Sequence, residues 1–161
     1  MSFLFNDPTV NSNGIYTDFN SNKGTCNLIR TSNYFPKCFK EAVTGSAKTL
    51  TVNNIIQGEL NRSFTGTTVS DTLPTASQII TEMKSRHPLG NSMPVNTGFE
   101  IIVYYTASND GGFYSFTANT GITILGDNNL DKNKSALLLV IATNVSSSSE
   151  AVSVIWTNGE V

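Results

Sequence analysis

The chain reads as mainly β, a jelly-roll-like sandwich with one short helix, and three observations carry that expectation. Short β-prone runs recur between glycine- and asparagine-rich turns over the second half of the chain. One stretch, Ala76 to Arg86, has helical rather than strand periodicity. Only 14% of the 161 residues are charged, against about 25% in an average globular protein, while Ser, Thr and Asn make up roughly a third of the chain. Such a surface is polar through hydroxyl and amide groups, as in virion surfaces, fibres and secreted modules.

The helix is the best-specified element. Asp71 or Thr75 can cap its start, and Thr75 with Gln78 has the spacing of a capping box, in which each side chain satisfies an orphan backbone N–H. Ala76, Ile79, Ile80 and Met83 follow at i, i+3, i+4 and i+7 and form one apolar stripe, and Pro88-Leu89-Gly90 stops the helix. Upstream, Thr49-Leu50-Thr51-Val52 reads as a β-prone run, Ile55-Ile56 begins a second, and Gly66 marks a turn before Thr67-Thr68-Val69. Downstream, Phe99–Tyr105 is expected to turn at Asn109-Asp110-Gly111-Gly112 and return as the hairpin partner Phe113–Ala118. Further strands are expected at Gly121–Gly126, at Ala136–Ala142 after a polar loop from Asp127 to Lys134, and at Ala151–Trp156.

Residues 99–105 and 136–142 are apolar at odd and even positions alike, whereas a strand with one solvated face alternates. Both faces are therefore expected to be covered, the second by a neighbouring subunit. Ile102, Tyr104, Leu138 and Val140 are the candidate oligomer-interface residues.

One domain, 48–161, is expected, preceded by an N-terminal segment, 1–47, of irregular or short-stranded character that serves attachment or intertwining. Phe3, Phe5, Tyr16, Phe19, Tyr34, Phe35 and Phe39 give this segment more aromatic area than disordered tails carry. Cys26 and Cys38 are the only cysteines; the start lacks the basic and apolar regions of a signal peptide, so they read as reduced thiols, with a disulfide as the alternative. Net charge is −2 without a dense Lys/Arg cluster, and no apolar run approaches transmembrane length, so neither nucleic acid nor membrane is an expected partner.

Gly58-Glu59-Leu60-Asn61-Arg62, Asp71-Thr72-Leu73-Pro74-Thr75-Ala76, Asn96-Thr97-Gly98-Phe99-Glu100, Gly121-Ile122-Thr123-Ile124-Leu125-Gly126, Asn144-Val145 and Ala151-Val152 stand in an order and spacing that resemble the C-terminal β-domain of structural proteins from large DNA viruses and their virophages. The resemblance covers roughly residues 48 to 157; the first 47 lie outside it. It implies a jelly-roll-like head, a homotrimer, and a role as a minor virion or fibre-like component located in the virion. The family is defined by architecture, so no catalytic residue carries over.

The residues agree in pointing away from an enzyme. His87 is the sole histidine, which leaves no Ser-His-Asp or Cys-His set unless it serves, and it reads as a helix-end residue; three copies around a three-fold axis are the one arrangement in which it could hold a metal. Asp127, Asn128, Asn129, Asp131 and Asn133 offer oxygen ligands but depart from a calcium-loop spacing and read as a solvated turn. No cofactor or metal is expected. Asn61, Asn133 and Asn144 begin Asn-x-Ser sequons that fit the Ser/Asn-rich composition. Tyr104, Tyr105, Tyr114 and Trp156 could stack on sugars, which keeps a carbohydrate- or receptor-binding head of a fibre as the alternative to a structural homotrimer held by its own copies and other capsid proteins.

Overall fold

The computed structural model describes residues 39–108 and 112–157. In chain order the elements are β1 (Phe39–Thr44), α1 (Val52–Ile56), β2 (Gly58–Phe64), β3 (Val69–Thr72), α2 (Ala76–Arg86), a 3₁₀ turn (Gly90–Ser92), β4 (Gly98–Ala107), β5 (Phe113–Thr117), β6 (Ile122–Leu125), β7 (Leu130–Asp131), β8 (Lys134–Asn144) and β9 (Ala151–Thr157). The chain is mainly β. Six strands form one sheet in the order β1-β2-β4-β8-β9-β6, and three form a second in the order β3-β5-β7.

α2 spans the residues expected of it. Thr75 accepts a hydrogen bond from the Gln78 backbone N–H while the Gln78 side chain accepts one from the Thr75 N–H, closing the capping box. Ala76, Ile79, Ile80 and Met83 are all buried. Lys84 and Arg86 in the last turn oppose the negative end of the helix dipole.

The upstream strands are a correction. Val52–Ile56 is a helical turn, not the junction of two β runs, because Thr51 and Asn54 form a second capping box. It takes Ile55 and Ile56 into the core, and that burial outweighs the β preference of branched side chains. Of the first run, Thr49 keeps one bridge, to Thr72.

The second correction is the hairpin. Residues 109–111 of its turn lie outside the described residues, but β4 and β5 belong to different sheets. β4 has β2 on one edge and β8 on the other, and β5 pairs in parallel with β3. A turn signal reverses the chain without choosing the partner strand; that choice follows from Tyr114 and Phe116 facing inward from the smaller sheet, where their rings stack in the core.

Register defines two faces of the large sheet. Leu60, Ile101, Val103, Leu138, Val140, Val152 and Val154 share one face with Arg62 and Tyr105, and all are buried in a single core with α1, α2 and the small sheet. The described residues thus form two packed layers, the second built from both helices and the three-stranded sheet. Gly121 makes the junction possible. Its φ is +76°, and a Cβ there would stand 2.6 Å from the Glu150 carbonyl oxygen and 2.7 Å from the Ala76 Cβ, so no other residue lets the start of α2 come this close to β9.

β1 places residues 39–44 of the expected N-terminal segment inside the large sheet, paired in parallel with β2. The rest of that segment through Cys38, both cysteines included, lies outside the described residues.

Replacing Thr75→Ala removes one half of the α2 capping box and is expected to lower unfolding free energy by about 1 kcal/mol, read as a lower urea midpoint with an unchanged slope.

Candidate functional site

The one buried polar cluster among the described residues joins the two layers. Arg62 on β2 and Asp71 on β3 have side chains at 0% exposure. Arg62 Nε donates to Asp71 Oδ2 at 2.6 Å and its Nη2 to Oδ1 at 3.2 Å. The remaining guanidinium hydrogens go to the Ser63 carbonyl at 2.7 Å, the Ser46 carbonyl at 3.0 Å and the Val43 carbonyl at 3.4 Å. Asp71 also accepts from the Lys48 backbone N–H at 2.8 Å and from the Tyr114 hydroxyl at 3.1 Å. Both oxygens of the carboxylate are thus committed to partners within the fold, away from solvent. Burial, with the Asp71 charge and hydrogen bond next, pushes the Tyr114 phenol far above its ordinary value, and the Arg62 charge only partly opposes this. Burial likewise raises Tyr105, with Arg62 and Lys132 pulling the other way. The cluster is a cross-link between layers.

Sequence reasoning missed it, although Arg62 and Asp71 both stood in the runs that carry the resemblance. The signal available was parity: Val69 and Asp71 share a side of β3, and that side is buried. Asp71 therefore does not cap α2, and the cap is Thr75 alone.

His87 is the C-cap of α2. Its N–H donates to the Met83 carbonyl at 2.9 Å, its Nδ1 accepts from the Leu89 N–H at 3.1 Å, and partial burial lowers its pKa. No cluster of three or more His, Cys, Asp or Glu side chains suited to a metal occurs among the described residues. In the polar loop, Asn128 is tied to both backbone groups of Phe116, accepting at 2.9 Å and donating at 2.6 Å, so it imitates a neighbouring strand and leads into β7. Asn129 donates to Asp127 at 3.0 Å. Two sequon asparagines are likewise engaged locally: Asn61 donates to Glu59, and Asn144 accepts from the Ser146 N–H.

The sugar-stacking set is broken up. Tyr105, Tyr114 and Trp156 are buried in an aromatic column whose neighbouring ring centroids, with Phe116 between the last two, lie 5.1 to 5.7 Å apart. Tyr104 alone of the four is exposed.

The candidate interface residues also divide. Leu138 and Val140 point into the core, 1% and 2% exposed. Ile102 and Tyr104 point to the opposite face. Register places Leu137 beside Ile102, Leu139 beside Glu100 and Ile155, Leu125 beside Ile155, and Ile141 beside Gly98. Ile102, Leu137, Leu139, Ile141 and Ile155 are half-buried and Leu125 is 45% exposed, so they form a contiguous apolar patch on the outer face. Strands that are apolar on both parities hide which residues face outward, and only pairing register assigns the side.

Against these features stand the comparisons with known proteins. No family model, curated protein or solved structure matches the chain.

Removing one partner of the buried pair strands a charge, so Asp71→Asn is expected to destabilise by about 3–5 kcal/mol in urea unfolding, while the apolar double variant Arg62→Met with Asp71→Leu recovers most of the loss. Tyr114 and Tyr105 keep their protons to higher pH when folded than when unfolded. Above the ordinary value of 10.0 the unfolded chain therefore binds fewer protons than the native one, and stability falls as pH rises beyond it. Unfolding midpoints measured from pH 8 to 11.5 check this, and replacing Tyr114→Phe flattens the fall.

Proposed function

We propose that this protein is a non-enzymatic structural component of a virus particle, a minor virion protein that works as a homotrimer displayed on or linking the capsid. The observation that carries the reading is the apolar outer face of the six-stranded sheet, set in a domain whose other surfaces are rich in hydroxyls and amides. A second layer already covers the inner face, so the outer one is the surface left for assembly. Each large side chain removed from water contributes about 1.5 to 3 kcal/mol when fully exposed at the start and roughly half that from a half-buried one. One face thus yields several kcal/mol, against about 4–15 kcal/mol for each association step. A closed ring of three gains a third interface for only two association steps, which favours cyclic closure over an open pair.

The resemblance to virophage and large-virus structural proteins supplies the virion setting, with other capsid proteins as partners. The uses of His87 as a cap and of Asp71 as an internal cross-link fit a role without catalysis. The finer jelly-roll-like architecture rests on the two packed layers and not on strand order: jelly rolls pair antiparallel, whereas β1-β2, β2-β4, β3-β5 and β6-β9 are parallel pairs.

One feature favours the alternative, a carbohydrate- or receptor-binding head. Where the parallel strands β1, β2 and β4 end together, a cleft of about 340 Å³ is lined by Thr44, Ser63, Thr65, Thr106 and Ser108 around Phe64. Hydroxyls beside an aromatic ring suit a sugar, and the carboxyl ends of parallel strands are a recurrent place for ligands. Saturable binding on a glycan array, lost in Phe64→Ala, is the outcome this reading requires.

Light scattering coupled to size exclusion tests the assembly reading directly. About three times the 17.4 kDa chain mass is expected, and Leu139→Asp is expected to give a folded monomer. Leu138→Asp, one position away but on the core face, is expected to unfold the chain. A parental monomer would remove the homotrimer.

A further inference from the structure

The cleft at the ends of β1, β2 and β4 is continuous with the outer face of the large sheet. Arg62 and Tyr105 face the core, so Ser63 and Thr106 face out. Pairing register sets Thr44, Ser63 and Thr106 in one row across the three strands, about 4.8 Å from each strand to the next. The row before it, two residues back and about 7 Å away, is Ala42, Asn61, Tyr104 and, on β8, Ser135. Neither row carries a charged side chain. The apolar patch begins only at Ile102, two residues further back along β4.

The cleft end is built to meet polar groups. Ser108 Oγ donates to the Thr65 carbonyl at 2.8 Å and Thr106 Oγ1 to the Arg62 carbonyl at 3.5 Å, so both hydroxyl oxygens keep lone pairs for an incoming donor. A Cβ at Gly66 would stand 2.3 Å from the Phe64 ring, so the ring lies against bare backbone where it lines the cleft. At the other end Tyr104 is 38% exposed, with Asn61 on one side and Ser135 on the other. Asn61 donates through Nδ2 to Glu59 at 2.9 Å, which leaves its Oδ1 as an acceptor.

An aromatic ring set among hydroxyl and amide groups matches a pyranose, whose ring face is apolar and whose edge is hydroxylated. That pattern occurs twice, at Phe64 and at Tyr104, with the Thr44-Ser63-Thr106 row between them. An anionic sugar would call for a guanidinium or ammonium donor in the lining. No charged side chain lines the cleft among the described residues, and Lys132 donates to the Ser108 carbonyl at 3.4 Å.

We propose that the cleft and Tyr104 are two subsites of one site for a neutral oligosaccharide, with one sugar unit against Phe64 and a following unit over Tyr104. This deepens the binding-head alternative above and rests on it. Tyr104 then serves the ligand and not the contact between copies.

The test titrates the full chain, followed by NMR, with glucose, N-acetylglucosamine, galactose and mannose oligomers of one to four units and with a sialylated trisaccharide as the charged probe. One neutral series is expected to bind, its trisaccharide at least fivefold more tightly than its monosaccharide. Tyr104→Ala is expected to bring the trisaccharide down to the affinity of the monosaccharide, with the monosaccharide affinity, solution mass and urea midpoint unchanged. Gly66→Ala, which displaces the Phe64 ring, is expected to weaken both sugars at least threefold. Equal affinity for one and three units, or a trisaccharide unaffected by Tyr104→Ala, overturns the extended site and leaves a binding head confined to the cleft. Binding of the sialylated probe alone overturns the neutral class. A changed solution mass in Tyr104→Ala puts Tyr104 in the contact between copies and overturns its place in the sugar site. If no probe binds, the binding head and this extension of it fall together.

Discussion

The Arg62–Asp71 pair is the constraint on which the two layers depend. A charge at 0% exposure must be matched, and here the match crosses from the large sheet to the small one. Forming it fixes β3 over β2. The same carboxylate then sets the Tyr114 hydroxyl on β5 and the Lys48 backbone at the approach to α1. The aromatic column continues from Tyr105 through Tyr114 and Phe116 to Trp156, so the register set by one ion pair extends across the interlayer space. A buried pair of this kind adds little net stability over an apolar pair of equal volume. Its effect is on geometry, since a shift of either sheet by one residue would leave two charges without partners.

This arrangement uses one face of the six-stranded sheet completely and leaves the other to a different purpose. Among the described residues, the ionic cross-link between layers and the fully buried large side chains lie on the inner side. The outer side has apolar groups at its centre, carboxylates beside them and hydroxyl-bearing residues at Ser135, Thr143 and Ser153. Contiguous apolar area of this kind is the surface on which the proposed assembly rests.

Several of the described residues that the sequence singles out for chemistry are taken up by the fold. His87 ends a helix, Asn128 replaces a missing strand neighbour, and Tyr105, Tyr114 and Trp156 fill the space between layers. Under the proposed function surface shape and polarity act, and the cleft at the ends of β1, β2 and β4 carries the proposed alternative of a carbohydrate- or receptor-binding head.

What the sequence determined by itself is local. The ends of α2 were legible because Thr75, Gln78 and the Ala76–Met83 stripe act within a few residues of one another, and β4, β8 and β9 were legible because their apolar runs are long and bounded by turns. α1 was misjudged through a similarly local signal: the Thr51–Asn54 box lies outside the familiar Ser/Thr-x-x-Glu/Gln form. Everything that depends on partners distant in the chain was decided by tertiary structure. The Asn109–Gly112 signal could not say that β5 would join β3 instead of β4. Continuous apolar strands could not say that Leu138 faces the core and Leu137 faces out, because a side-chain period of two fixes alternation but not its phase. That phase comes from pairing with β2 and β9 and from the buried charge that locks the second sheet above them.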